Sequence, residues 1–130
     1  MQSSPEADEL LQSVSFFLRN KILPKLSGRD AYDIRVAANV LNIVERELRL
    51  RQRAETEEAL RLATLPGIRQ DALHAMNLQL CEGIACGDFG PHTPGLTEHL
   101  WATTLSTLAV DQPEYSSYQA ALRSGANHEL

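Results

Sequence analysis

The sequence predicts an all-α fold, a compact helical bundle of four to five main helices with a long central helix. Three observations carry this. Apolar residues recur at spacings of three and four along every long segment. No stretch alternates apolar and polar residues as a half-buried strand would. Prolines and glycines gather where those helical segments end. At 130 residues the chain is expected to be one domain, 1–130, long enough to bury about two-thirds of its unfolded surface.

The first helix has a defined start. Ser4 is placed to cap it, Pro5 suits the first helical position, and Glu6, Asp8 and Glu9 complement the positive end of the helix dipole. Leu10, Leu11, Val14, Phe17, Leu18 and Ile22 then form one apolar stripe. Pro24 ends or kinks the helix, and Ser27-Gly28 makes the turn.

The second helix is expected from about Asp30 to Leu50, continuing with a break to Leu65 before Pro66-Gly67 stops it. At 100° per residue it shows two apolar faces. Ile34, Ala37, Ala38, Leu41, Val44 and Leu48 form one, and Tyr32, Val36, Val40 and Ile43 form the other. A helix apolar on two sides is packed on two sides, as the centre of a bundle or as a bundle member that meets a second subunit, so a homo-oligomer is expected. Arg35, Asn39, Asn42, Arg46 and Arg49 share a polar stripe between those faces.

A third helix is predicted over Gln70–Ala85, with Leu73, Met76, Leu80 and Ile84 facing inward, supported by Ala72 and Cys81. Gly83 and Gly87 weaken its last turns, and residues 87–95 form a loop. A fourth helix is predicted over Thr97–Val110, with Leu100, Trp101, Leu105, Leu108 and Ala109 inward. Asp111-Gln112-Pro113 closes it, and the tail from about residue 112 is an extra helix or partly extended.

The net charge of −5 argues against a nucleic-acid partner. The charge is uneven, because residues 19–53 hold nine of the twelve basic side chains against four acids. That asymmetry suits an acidic partner or ligand, or a solvated helix face. No apolar run is long enough for a membrane span, and the first residues lack the basic and apolar regions of a secretory signal. A cytoplasmic location is therefore expected. Cys81 and Cys86 lie five apart, on different faces of one helix, and read as free thiols filling core.

Few residues point to chemistry. Asp88-Phe89-Gly90 matches the metal-binding triplet of protein kinases but lacks the glycine-rich loop, strand lysine and catalytic loop that give the triplet meaning. Neither His-x-x-Glu nor Cys-x-x-Cys occurs among His74, His92, His99, His128 and the cysteines, so no metal site is predicted. His74 and Cys81 share a helix face without an orienting carboxylate, and no phosphate loop exists. No catalytic residue and no cofactor is assigned. The candidate ligand-binding residues are Arg35, Asn39, Asn42 and Arg46, because a guanidinium forks onto carboxylates and phosphates and an amide one turn on supplies a donor. The structural alternative has Asn39 holding a neighbouring backbone and Arg35 paired with Asp30 or another acid.

The segments Leu23–Tyr32, Arg35–Leu48, Asn77–Ile84, His99–Leu105 and Leu108–Tyr115 together resemble an uncharacterised bacterial family of short helical proteins. The Arg35-Val36-Ala37-Ala38-Asn39 run is the most specific part. Members tend to be encoded beside, or fused to, aminoglycoside-phosphotransferase-like proteins, often near acyl-CoA dehydrogenases. The resemblance implies an accessory or interaction domain that supports a phosphotransferase-like or acyl-CoA dehydrogenase partner. Its alternative is a small-ligand binder or minor enzyme using Arg35 and Asn39 on an anionic metabolite such as a CoA thioester.

Overall fold

The computed structural model describes residues 5–126, whose regular structure is entirely helical. Helix α1 is Ala7–Phe17, α2 is Gly28–Thr64, α3 is Leu73–Ala85, α4 is Leu96–Asp111 and α5 is Ser116–Ala126. The chain divides into two compact units, Met1–Arg51 and Gln52–Leu130, and α2 begins in the first and ends in the second.

In the first unit, α1 starts at Glu6, whose N–H donates to Glu9 Oε2 at 3.2 Å. This contact satisfies one of the donors that a helix start leaves open. Pro5 therefore precedes the helix, and the Ser4 cap lies outside the described residues. After Phe17 the backbone widens into a π-helical turn, Leu18–Ile22, with Leu23 N–H bonded to Leu18 O. A tighter 3-10 turn, Leu23–Lys25, follows. Pro24 explains the change, since it has no N–H to give and its ring would strike the carbonyl four residues back in a regular α-helix.

Two side-chain contacts set the register of α1 on α2. Gln12 Nε2 donates to Glu45 Oε1 at 3.1 Å, and Arg19 donates to Asn39 Oδ1. As residue numbers rise on one helix they fall on the other, so the pair is antiparallel. The buried residues here are Ser15, Ala31, Ala38 and Glu45, with Leu11, Leu18, Ile22, Ile34 and Leu41 half-buried. Small side chains at the centre let the backbones approach closely, but they bury little apolar surface.

The predicted stripes shift accordingly. Along α1 and the π-helical turn the half-buried line is Leu11, Leu18 and Ile22, whereas Leu10, Val14 and Phe17 are exposed. On α2 the first apolar face is covered at Ile34, Ala38 and Leu41 but exposed at Ala37, Val44 and Leu48, and Tyr32, Val36 and Val40 of the second face are exposed. The expected break after Leu50 is absent, and α2 runs for 37 residues. Gln52–Thr64 has neither glycine nor proline to interrupt it, and Arg53 reaches Glu57 one turn on at 2.9 Å.

The second unit has a conventional core. Leu62, Leu65, Ile68, Met76, Leu80 and Leu96 form it, flanked by Ala59, Leu73 and Phe89. Helix α3 begins at Leu73, three residues later than expected, because the segment before it is held in another conformation. Gln79 Oε1 accepts from the Arg69 N–H at 2.8 Å, and Gln79 Nε2 donates to the Arg69 carbonyl at 3.1 Å. Helix α5 shows that the tail is helical through Ala126, with Gln119 Nε2 donating to the Pro113 carbonyl.

Inward assignments fail on both α3, where the supporting Ala72 is also exposed, and α4. Cys81 and Cys86 are both exposed, because the buried side of α3 is Met76, Leu80 and Gly83 and each cysteine projects away from it. Ile84 is exposed for the same reason. On α4 the buried residues are Leu96, His99 and Val110, so Leu100 is exposed and Trp101 is 59% exposed. Trp101 sits two residues after His99, about 200° around the helix. Helix α4 is apolar on nearly every side, and its periodicity alone did not select the covered one.

Candidate functional site

The four candidate ligand-binding residues occupy one edge of α2 in the first unit. Arg35 and Asn39 are exposed, while Asn42 and Arg46 are half-buried. Arg35 has no hydrogen bond or ion pair with another described residue, and the suggested Asp30 partner is not used. Asn39 does not hold a loop backbone but accepts from the Arg19 guanidinium, which arrives from the π-helical turn. Arg46 is engaged in a contact of its own.

The acids of this unit are largely committed elsewhere. Asp33 takes Arg29 at 3.1 Å, Glu47 takes Arg51 at 2.6 Å, and Glu45 takes Arg49 at 2.9 Å as well as Gln12. Each ion pair joins residues four apart on α2, the spacing that places two side chains one above the other. These neutralise Arg29, Arg49 and Arg51 locally, while Arg19 bonds to Asn39 and Arg35 stands one turn before it on the same edge. Sequence reasoning missed Arg19, since nothing in the spacing of α1 shows that a side chain twenty residues away reaches Asn39.

An apolar face lies opposite that polar edge. On α1, Leu10, Val14 and Phe17 are about 180° around the helix from Gln12 and Arg19. On α2, Val40, Val44 and Leu48 stand about 180° from the stripe that contains Arg35, Asn39 and Arg46. Each apolar trio is therefore turned away from the polar edge of its own helix. All six side chains are between 41% and 52% exposed. Among the described residues of this unit no large hydrophobic side chain is buried.

In the second unit a polar cluster surrounds His99, which is only 2% exposed. Arg61 Nε donates to His99 Nδ1 at 3.4 Å, and the same guanidinium donates to Thr103 Oγ1 at 3.3 Å. Nδ1 therefore acts as an acceptor, which places the neutral ring's proton on Nε2. Burial pushes the imidazole below its ordinary range, the Arg61 charge adds to that, and Glu58 opposes it. Glu58 is held in turn by Asn77 Nδ2 at 3.1 Å. The neutral histidine, the arginine and the threonine join α2 to α4. These contacts satisfy polar groups that burial takes away from water.

Asp88, Phe89 and Gly90 line an open depression of about 420 Å³ with Pro66, Pro91 and His92. Phe89 turns from it into the core, and Thr93 Oγ1 accepts from the Gly90 N–H at 2.9 Å. The triplet thus builds a turn. Among the described residues no three His, Cys, Asp or Glu side chains gather to hold a metal ion, and no helix is long and apolar enough to cross a membrane.

No curated protein and no solved structure matches this chain. The family model described as domain of unknown function (DUF6285) matches residues 24–115, a span that takes in all of α2, α3 and α4. The match therefore includes the Arg35–Arg46 edge and the His99 cluster, and the chain belongs to the DUF6285 family of domains of unknown function.

Proposed function

We propose that the chain is a non-catalytic interaction domain that acts as a homo-oligomer, joined through the apolar face of α1 and the first half of α2. The observation that supports this is the exposure of Leu10, Val14, Phe17, Val40, Val44 and Leu48 on two paired helices that bury no large hydrophobic residue between them. Their exposed surface amounts to roughly 500 Å², near the largest patch that a typical monomer leaves open. A stable interface needs about 800 Å² from each partner, which these six and their neighbours approach. A second copy fits because a two-fold axis sets each trio against its equivalent, turning two helix pairs into a four-helix layer.

The finer reading is that this oligomer supports a phosphotransferase-like or acyl-CoA-handling protein in the cytoplasm. It rests on the resemblance carried by the five segments given above, of which the Arg35–Asn39 run is the most specific. Sedimentation velocity tests the core of the proposal. Wild-type protein is expected to sediment as a dimer or larger species, and Val44→Glu as a monomer of unchanged helix content. A wild-type protein that stays monomeric at high concentration overturns it.

A further inference from the structure

We propose that Arg19, Arg35 and the side-chain amide of Asn39 form a binding site for a phosphoryl group. The inference stands apart from self-association, because these residues lie on the polar edge and outside the apolar trios.

Its geometry begins at the contact between Arg19 and Asn39. Asn39 Oδ1 accepts from Arg19, which fixes the orientation of the amide and leaves its NH2 group as a donor toward solvent. Arg35 lies one turn earlier on the same edge, so its guanidinium is within reach of an anion held at that NH2. Two guanidinium forks and one amide offer several N–H donors to a single tetrahedral anion, an arrangement that suits phosphoryl oxygens.

Electrostatics favours an anion here over a neutral ligand. Asp33, Glu45 and Glu47 are occupied by Arg29, Arg49 and Arg51, so the nearby carboxylates on α2 do not quench Arg19 or Arg35. Asp30 is exposed near the start of the helix and pairs with neither arginine. Arg35 also pays little desolvation cost, since it already stands in water. A phosphoryl group bridging Arg19 and Arg35 would tie α1 more firmly to α2, so binding should register as added stability.

The test is a thermal-shift titration at low ionic strength with inorganic phosphate, pyrophosphate and ADP, set against chloride at matched ionic strength. Pyrophosphate is expected to raise the melting temperature of wild type above the chloride control. A comparable rise with ADP identifies a nucleotide diphosphate as an acceptable source, and a rise with the inorganic anions alone identifies a free phosphate site. Arg35→Ala should weaken pyrophosphate about tenfold or more, as expected for one charge-assisted contact.

Asn39→Asp is the decisive variant. It keeps and strengthens the acceptor for Arg19 while placing a negative charge where the anion would sit. It should therefore leave the fold intact and abolish the pyrophosphate shift. Arg53→Ala, which removes an arginine already paired with Glu57, should retain the full shift. The proposal is overturned if wild type shows no shift beyond chloride, or if Asn39→Asp and Arg35→Ala respond as wild type does.

Discussion

The ring of Phe89 occupies the space where a β-carbon on Gly83 would stand, 2.1 Å from Cδ2 and from Cε2. The Phe89 N–H also bonds to the Gly83 carbonyl at 3.0 Å, so the loop after α3 folds back and lays its aromatic ring on the helix backbone. Gly83 thus does more than weaken the last turn of α3. Its hydrogen atom is the only side group that fits beneath the ring.

Gly83→Ala is accordingly predicted to destabilise the protein by about 2–3 kcal/mol, against the gain that alanine normally brings within a helix. Phe89→Ala should cost about 3 kcal/mol through the cavity it leaves beside the core. The double variant should be markedly less unstable than the sum of the two, because once the ring is gone the new methyl group has room. Urea titration of the four proteins measures the coupling, and strict additivity would show that the ring does not rest on Gly83.

A pH-dependent loss of stability is predicted from His99. Burial, reinforced by Arg61, lowers its folded pKa below the unfolded value of 6.5. The unfolded chain therefore binds the proton more readily, and acid favours unfolding. The sign follows directly. The histidine's contribution is full above the unfolded pKa and declines as the pH falls through and below it. Protonation would also set a cation on Nδ1 against the Arg61 guanidinium that now donates to it. Urea midpoints for wild type should fall between pH 7.5 and 5.5, and His99→Gln should flatten that step. An unaltered step in the variant would assign the effect to other groups.

The helices themselves were legible because their apolar periodicity and their stop signals agree. Leu65-Pro66-Gly67 ends α2, and Asp111-Gln112-Pro113 ends α4 within one residue of the expected point. What the sequence hid was the choice of covered side wherever a helix is apolar all round. On α4, Leu100 and Trp101 are more hydrophobic than His99, yet His99 is buried because Arg61 and Thr103 satisfy it. The candidate site was half visible. Arg35 and Asn39 share an edge by spacing alone, but Arg19 reaches it from the π-helical turn before Pro24, twenty residues away in sequence. Contacts between distant segments depend on register, which no local pattern encodes.

Glu45 is a buried acid with two partners, Gln12 on α1 and Arg49 on its own helix. Replacing it with alanine leaves the Gln12 amide without its acceptor and removes a charge-assisted bond, at a predicted cost of about 1–3 kcal/mol. Glu45→Gln keeps an oxygen for Gln12 and should cost distinctly less. The comparison separates the hydrogen bond from the charge, and chemical denaturation at low and high salt measures both. If the two variants are equally unstable, the Gln12 contact contributes nothing and the ion pair alone matters.

Gln79 holds the chain just before α3 in the way a neighbouring strand would. Its amide accepts from the N–H of Arg69 and donates to the carbonyl of the same residue. Both backbone groups lie in a stretch without helical bonds, where water is their other partner. Gln79→Ala removes both contacts at an exposed position, so a global loss of only about 1 kcal/mol is predicted. The local effect should be larger. Residues 66–72 should exchange amide hydrogens faster and become open to limited proteolysis, while the Leu62–Met76 core keeps its protection. Gln79→Glu separates the two bonds, because a carboxylate accepts from the Arg69 N–H but has nothing to donate to its carbonyl. It should restore protection at the Arg69 amide without full recovery of stability. Equal exchange in wild type and Gln79→Ala would mean that the segment is held by Ile68 packing in the core and not by the amide.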